Sequence, residues 1–341
     1  MKLASIERIL DINPINGADK IELLTILGWQ VIVKKGEFNI GDLCIYIPID
    51  TTVNPTRDYF KFLVDPKNKK EEKRIKIKTI RIKGVFSQGL VLPLNIYPYE
   101  PVIGLDVSDF LDISKYEKET TLLQNLSPIV SPSLFPFPVE YISKTDEDNL
   151  RSKHNILEEL RNLDCVITSK MDGSSMTIIK DNDKFIVCSR NYIIYEDNLM
   201  YKFINTYKIK DKIINFNRNL AIQGEFCGPK VNNNQIGLKD YKWYVFTIKD
   251  LDTNVYLNYN EMKILCEDIG LEMVPTIMIF NCTETHNLDF FQRIANDTVY
   301  ITHLNKIVPG EGIVVRPLIQ KWSYILYKNL SFKVINQNYK D

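Results

Sequence analysis

The chain has 341 residues, 45% of them apolar and 25% charged, and its 43 Lys and Arg balance its 43 Asp and Glu. These are ordinary globular values, with enough length for two domains and a sizeable core. No window approaches 18 uncharged apolar residues, which excludes a membrane-spanning helix, and zero net charge means that any attraction for nucleic acid must come from local patches. The opening MKLASIERIL is too charged, and its apolar run too short, for a signal peptide. The cysteines (Cys44, Cys165, Cys188, Cys227, Cys266 and Cys282) form no C-x-x-C pair, and His154, His286 and His303 are scattered. That argues against zinc and for reduced core thiols in an intracellular protein.

In chain order, the first hundred or so residues read as short strands and turns. WQVIVKKGEF alternates, GDLCIYIPID is an apolar run opened by Gly41-Asp42, and IKIKTIRIKGVFSQGLVLPL alternates and then turns at Gly84 and Gly89. This spacing predicts a small Greek-key barrel of the OB type over 1–113. Residues 114–141 read as a linker, since NLSPIVSPSLFPFPVEY is proline-rich without periodicity. KTDEDNLRSKHNILEELRNL predicts a helix, with Asp146 or Asp148 as N-cap and Leu150, Ile156, Leu157 and Leu160 as its apolar stripe. Strand patterns return in CVITSKMDGSSMTIIK, KFIVCSRNYIIY, NLAIQGEFCG and KWYVFTIKDL. The helix NEMKILCEDIG ends at Gly270, and GEGIVVRPL and LSFKVIN are strands again. The fold class is α+β, with antiparallel sheets flanked by helices in a C-terminal domain over 142–341.

The stretch TSKMDGSSMTI sets Lys170, Asp172 and Gly173 inside a run that otherwise reads as core. A strand ending in lysine, a glycine turn and a departing strand aim one amine at a fixed point. Lysine is a nucleophile only when neutral, and its ordinary pKa is about 10.4. Cations or desolvation nearby are needed to release its proton near neutrality. Asp172 works against that, so its sensible task is to face a divalent metal or the metal's waters. In isolation, Lys-x-Asp-Gly is more often a surface hairpin with a turn glycine.

The residues that follow in order change that balance. VCSRN carries Arg190, IQGEFCG carries Glu225, WYVFTIKD carries Phe246, EGIVVR carries Glu311 and LSFKVIN carries Lys333. This series resembles the nucleotidyltransferase motifs of polynucleotide ligases and mRNA capping enzymes. ADKIELLTILGWQVIVKKGEFNIGDLCIYIPIDTTV and IKTIRIKGVFSQGLVLPL are similar to the amino-terminal OB module of the Naegleria- and Deinococcus-type ATP-dependent RNA ligases. Most DNA ligases and capping enzymes carry their OB domain after the catalytic one, so the domain order favours RNA ligase. So does Ser175, where DNA ligases often have arginine.

The resemblance implies ATP as cosubstrate, Mg²⁺ or Mn²⁺ as metal, and a lysyl-AMP on Lys170. AMP then passes to an RNA 5′-phosphate, and a 3′-hydroxyl displaces it, sealing ends in a nicked duplex. It puts Asp172, Glu225 and Glu311 around the metal, with Glu225 also near the ribose. Lys333 is implied at the α-phosphate, Phe246 against adenine, Arg190 at the ribose or RNA 5′-phosphate, and Arg151 at a phosphate. Gly173 completes the nucleotide-binding motif. One departure stands out: many relatives have Lys-x-Lys where this chain has Ser331 and Lys333. The segment Lys61 to Lys83 holds ten basic and three acidic residues and is a candidate RNA contact. A monomer is expected. The competing readings are a GTP-using capping guanylyltransferase, a DNA ligase and a non-catalytic RNA-binding relative.

Overall fold

The computed structural model describes residues 2–64, 74–116 and 135–339. Most of the expected linker, and the 65–73 part of the basic segment, fall outside the described residues. The chain divides into two compact units, Met1–Glu119 and Thr120–Asp341.

The first unit is built of short antiparallel strands. Leu43–Ile47 lies between Ser5–Arg8 and Leu90–Pro93. Its unbroken apolar character has a physical cause: both of its faces are buried. Ile45 and Ile47 enter a core with Ile6, Phe60, Leu92 and Leu111, whereas Cys44 and Tyr46 enter a second core with Leu24, Trp29 and Val31. The meander Asp11–Pro14, Ile21–Ile26, Trp29–Lys34 covers one side, and Trp29–Lys34 alternates in burial as its sequence does. A hairpin, Thr79–Ile82 with Val85–Gln88, turns at Lys83 and Gly84, both at positive φ, the pair of angles that a two-residue turn needs.

The second unit has two sheets. One orders its strands Asp148–Asn149, Phe332–Ile335, Gly312–Pro317, Asp164–Lys170 and Thr276–Asn281. The other runs Ile193–Ile194, Lys184–Cys188, Ser174–Asp181, Leu220–Cys227, Lys242–Asp250 and Val255–Tyr256, with Glu272–Met273 parallel beside Lys242–Asp250. Each sheet has its own core. Cys165, Ile167, Ile313, Val315, Phe332 and Val334 pack with Leu157, Leu160 and Phe291. Met176, Ile178, Ile222, Phe226, Trp243 and Val245 pack with Met200, Phe203, Met262 and Leu265.

The helix expected over 144–163 is broken into pieces. Asp148–Asn149 joins the first sheet beside Phe332–Lys333, and Asn149 caps a 3-10 turn, Leu150–Ser152, by accepting from the Arg151 N–H. Only Leu157–Leu160 is α-helical. The stripe Leu150, Ile156, Leu157 and Leu160 is nevertheless buried, because successive short turns bury residues at helix-like spacing. The helix Tyr259–Ile269 forms as its signals predict, with an Asn258–Glu261 capping box and Gly270 left-handed at φ 72°. Helices Leu199–Thr206, Ile209–Ile214 and Leu288–Asp297 were not legible in the sequence pattern. All the cysteines are free and buried. Among the described residues no helix is long and apolar enough to cross a membrane.

Candidate active site

Lys170-Met171-Asp172-Gly173 is the crossing between the two sheets. Lys170 is the last residue of its strand, paired with Gly312, and Ser174 opens the next strand, paired with Phe226 in the other sheet. Side-chain alternation does the rest. Cys165 and Ile167 go into one core, so Val166, Thr168 and Lys170 take the opposite face. Val314 and Arg316, then Lys333, follow the same rule on the neighbouring strands. In the second sheet Trp243 and Val245 fill the core, leaving Tyr244 and Phe246 to a smaller cluster with Met171, Cys227, Val274 and Tyr300. A cavity beside this cluster is lined by Val166, Thr168, Phe246, Met273, Val274 and Arg316, among others.

Gly173 is required for a steric reason. It does not take a left-handed φ. A Cβ there would lie 2.4 Å from the Phe226 carbonyl oxygen and 2.7 Å from Cys227 Sγ, so the strand reaches its neighbour only without a side chain. Gly312 needs both properties: its φ is 145°, and a Cβ would sit 2.1 Å from the Val334 oxygen.

Lys170 Nζ is ion-paired with Glu311 Oε1. Burial alone lowers the pKa of the Lys170 amine, yet the net shift is upward, because Glu311, Glu225 and Asp172 surround it with negative charge. The ligand-free pocket therefore favours the ammonium, the reverse of a cation-lined pocket. The second Glu311 oxygen, Oε2, is buried and accepts no hydrogen bond. Glu225 is pushed up to about 8, first by burial and then by Glu311 and Asp172, against the pull of Lys170 and Arg190. Lys333 also lowers the pKa of Glu311, although burial raises it on balance. Lys170, Asp172, Glu225 and Glu311 are thus linked electrostatically, Lys333 joins them through Glu311 and Arg190 through Glu225.

The other singled-out residues have structural partners. Arg190 lies 3.8 Å from Asp146. Arg151 Nε donates to Gln292 Oε1 at 3.0 Å, and Gln292 Nε2 donates to the Ile335 carbonyl at 2.9 Å. Phe246 carries Arg316 over its ring, 5.6 Å from the centroid. Arg316 donates to the Phe246 carbonyl and to Thr247 Oγ1, and pairs with Glu147 at 2.5 Å. Ser331 also donates to Glu147, the carboxylate that Arg316 pairs with. Lys328 instead pairs with Asp148 at 2.9 Å. The cation sharing a partner with Ser331 is therefore Arg316, one strand over.

Reasoning from sequence missed Arg316 and Glu147, although VVRP placed a charge at an inter-sheet position. It also missed Tyr300, whose hydroxyl donates to the Lys170 carbonyl and accepts from the Glu311 N–H at 3.0 Å. Asn232 and Tyr339, both hydrogen-bonded to Asp172, were missed as well. Asn232, Tyr300 and Tyr339 come from stretches with no periodic signal.

Comparisons with known proteins identify the family. The model of an OB-fold domain matches residues 3–94, and the RNA ligase family model matches residues 163–335. Among solved structures, a mutant Naegleria gruberi RNA ligase with AMP and Mn is similar at TM-score 0.80 and 31% identity, covering 98% of this chain and 97% of that one. A Naegleria gruberi RNA ligase mutant with ATP and Mn gives TM-score 0.80 and 30% identity over 98% and 97%. The Naegleria gruberi enzyme with PPi gives 0.78 and 31% over 98% and 97%. No curated protein sequence matches. The chain has an OB-fold domain followed by a ligase domain, and it is an enzyme of the RNA ligase family.

Proposed function

We propose that the protein is an ATP-dependent RNA ligase that seals a 3′-hydroxyl to a 5′-phosphate, at nicks in duplex RNA, through a lysyl-AMP on Lys170. The observation that carries this reading is the convergence of Lys170, Asp172, Glu225, Glu311 and Lys333 on the inter-sheet face. Lys170 Nζ attacks the α-phosphorus of ATP, an N–P bond forms and pyrophosphate leaves. The RNA 5′-phosphate oxygen then displaces the lysine to take AMP, and the 3′-hydroxyl displaces AMP. All three steps are displacements at phosphorus, where positioning and charge neutralisation dominate.

The residues fit the expected cation. Asp172, Glu225 and Glu311 offer hard oxygen donors suited to Mg²⁺ or Mn²⁺, and Glu311 Oε2 is a buried acceptor without a donor. Among the described residues no group of three or more His, Cys, Asp or Glu converges closely enough to hold an ion directly. Mg²⁺ retains its waters readily, so some of these contacts run through them in this reading. When bound, the cation supplies positive charge at the α-phosphate. The protein's own part is to exchange the Lys170–Glu311 pair for contacts to substrate, which frees the amine to lose its proton. Lys333 steadies the α-phosphate, Arg151 a phosphate, and Arg190 the ribose or the RNA 5′-phosphate. Phe246, fixed by Arg316, stacks on adenine, and Gly173 keeps the strand crossing tight. The domain boundaries proposed are 1–113, 114–141 and 142–341.

The basic segment divides by role. Arg74 is tied to Thr52 and Asp112, Lys76 pairs with Asp50 at 3.5 Å, and Lys61 pairs with Asp58 at 2.6 Å. Lys78, Arg81 and Lys83 lie on or beside the exposed hairpin and are the phosphate contacts we favour.

Mass spectrometry after incubation with ATP and Mg²⁺ tests the reading. One added AMP on the peptide holding Lys170, absent from Lys170→Met, is expected. Retention of GMP and not AMP would instead identify a capping enzyme. Sealing of nicks bearing RNA but not DNA 3′-hydroxyl strands is the second expected result.

A further inference from the structure

The residues matched by the RNA ligase family model stop at 335. The next four, Asn336–Tyr339, run back into the site, and their path is fixed at several points. The Asn336 N–H donates to the Glu311 carbonyl at 2.9 Å, and its side-chain amide donates to the Gly310 and Thr298 carbonyls at 2.9 and 3.2 Å. Asn336 Oδ1 accepts from the Asn338 N–H at 2.8 Å, and the Tyr339 N–H donates to the Asn336 carbonyl at 3.2 Å. Asn336 is 1% exposed. This plug delivers the Tyr339 hydroxyl to Asp172 Oδ2, to which it donates at 2.6 Å. Asn232 donates to the other oxygen, Oδ1, at 3.1 Å, and also to the Gly173 carbonyl.

Asp172 is thus held from both ends by uncharged donors, and its carboxylate plane is set. Two such donors resist rotation of the carboxylate. It keeps its remaining lone pairs for a ligand, and Glu311 takes the lysine instead. Tyr339 adds no charge of its own, so its effect is on orientation.

We infer that Tyr339, delivered by the Asn336 plug, is a positioning residue that orients Asp172 toward the divalent cation. This rests on the reading of Asp172 as a cation-facing carboxylate. The alternative for the same contact is that the phenol competes with the ion, and the two predict opposite signs.

The test is a titration of the full-length protein with Mn²⁺ at saturating AMP, with free Mn²⁺ read by EPR. Tyr339→Phe should bind Mn²⁺ about tenfold more weakly than wild type, the low end of what loss of a ligand's outer partner costs. The Mn²⁺ concentration for half-maximal adenylylation should rise in step, while the rate at saturating metal recovers. Asn232→Ala, which removes the opposite donor, should shift in the same direction and carries the test if Tyr339→Phe does not fold. Unchanged or tighter Mn²⁺ binding in Tyr339→Phe overturns the proposal while leaving the ligase reading intact. Asp172→Ala separates the two: binding equal to wild type in that variant overturns both.

Discussion

Arg316→Met should be among the most damaging substitutions outside the sequence motifs. The Arg316 side chain is 15% exposed and its Glu147 partner 10%. Removing one member of a pair buried this deeply leaves an uncompensated charge, at a cost of about 3–5 kcal/mol. Against a typical total of about 5–15 kcal/mol, that is a large fraction. The pH dependence gives the sign. Burial raises the Glu147 pKa, but Arg316, Ser331 and Lys328 together outweigh it, so the net shift is downward from 4.5. A depressed carboxyl contributes stability above its unfolded value and loses it as pH falls through the folded one. Without Arg316 only Ser331 and Lys328 oppose burial, so the folded pKa should rise and the variant should lose stability relative to wild type as pH rises. The deficit against wild type should therefore be largest near pH 8 and shrink toward pH 5. Urea unfolding followed by tryptophan fluorescence measures it, since Trp243 and Trp322 report on the second unit and Trp29 is common to all variants. Glu147→Gln combined with Arg316→Met should recover much of the loss, because no buried charge is stranded. A deficit below about 1 kcal/mol, or one that does not change with pH, would refute the reasoning.

Other outcomes follow from the same contacts. Gly173→Ala should cost about 1–3 kcal/mol and suppress adenylylation, because the Phe226 carbonyl cannot yield as a flexible side chain would; thermal melting and the AMP mass shift check it. Gln292→Leu should weaken ATP binding about tenfold in a Lys170→Met background by releasing Arg151, as read by equilibrium binding. Glu225, held near 8, favours its neutral form in the folded state, so it makes stability fall as pH rises from 4.5 to about 8. Glu225→Gln should flatten that fall in pH-dependent melting of the ligand-free protein.

The strand order of the motifs was legible because alternation is a local property. Lys170, Phe246 and Lys333 lie on the face opposite their core neighbours, as the flanking Ile167, Val245 and Val334 require. The helix over 144–163 misled because its stripe is real while its backbone is not. Asn149 offers its side chain to the backbone and Asp148 finds a strand partner, and neither choice is visible without the rest of the sheet. Tyr300, Tyr339 and Gln292 reach these residues from segments distant from Lys170 in sequence, each through one hydroxyl or amide group that leaves no periodic trace. The reason for Gly173 was also hidden: a turn glycine and a close-contact glycine look alike until the neighbouring strand is in place.

The four-residue crossing at Lys170–Gly173 has a mechanical consequence. The amine is rooted in one layer and Phe246 in the other, and each layer has a separate core. A nucleotide bonded to the first and stacked on the second would act as a strap across the gap. The adenylylated protein should then be the stiffer form, with slower amide exchange along both Asp164–Lys170 and Lys242–Asp250, and discharge of AMP to RNA should loosen the two layers together.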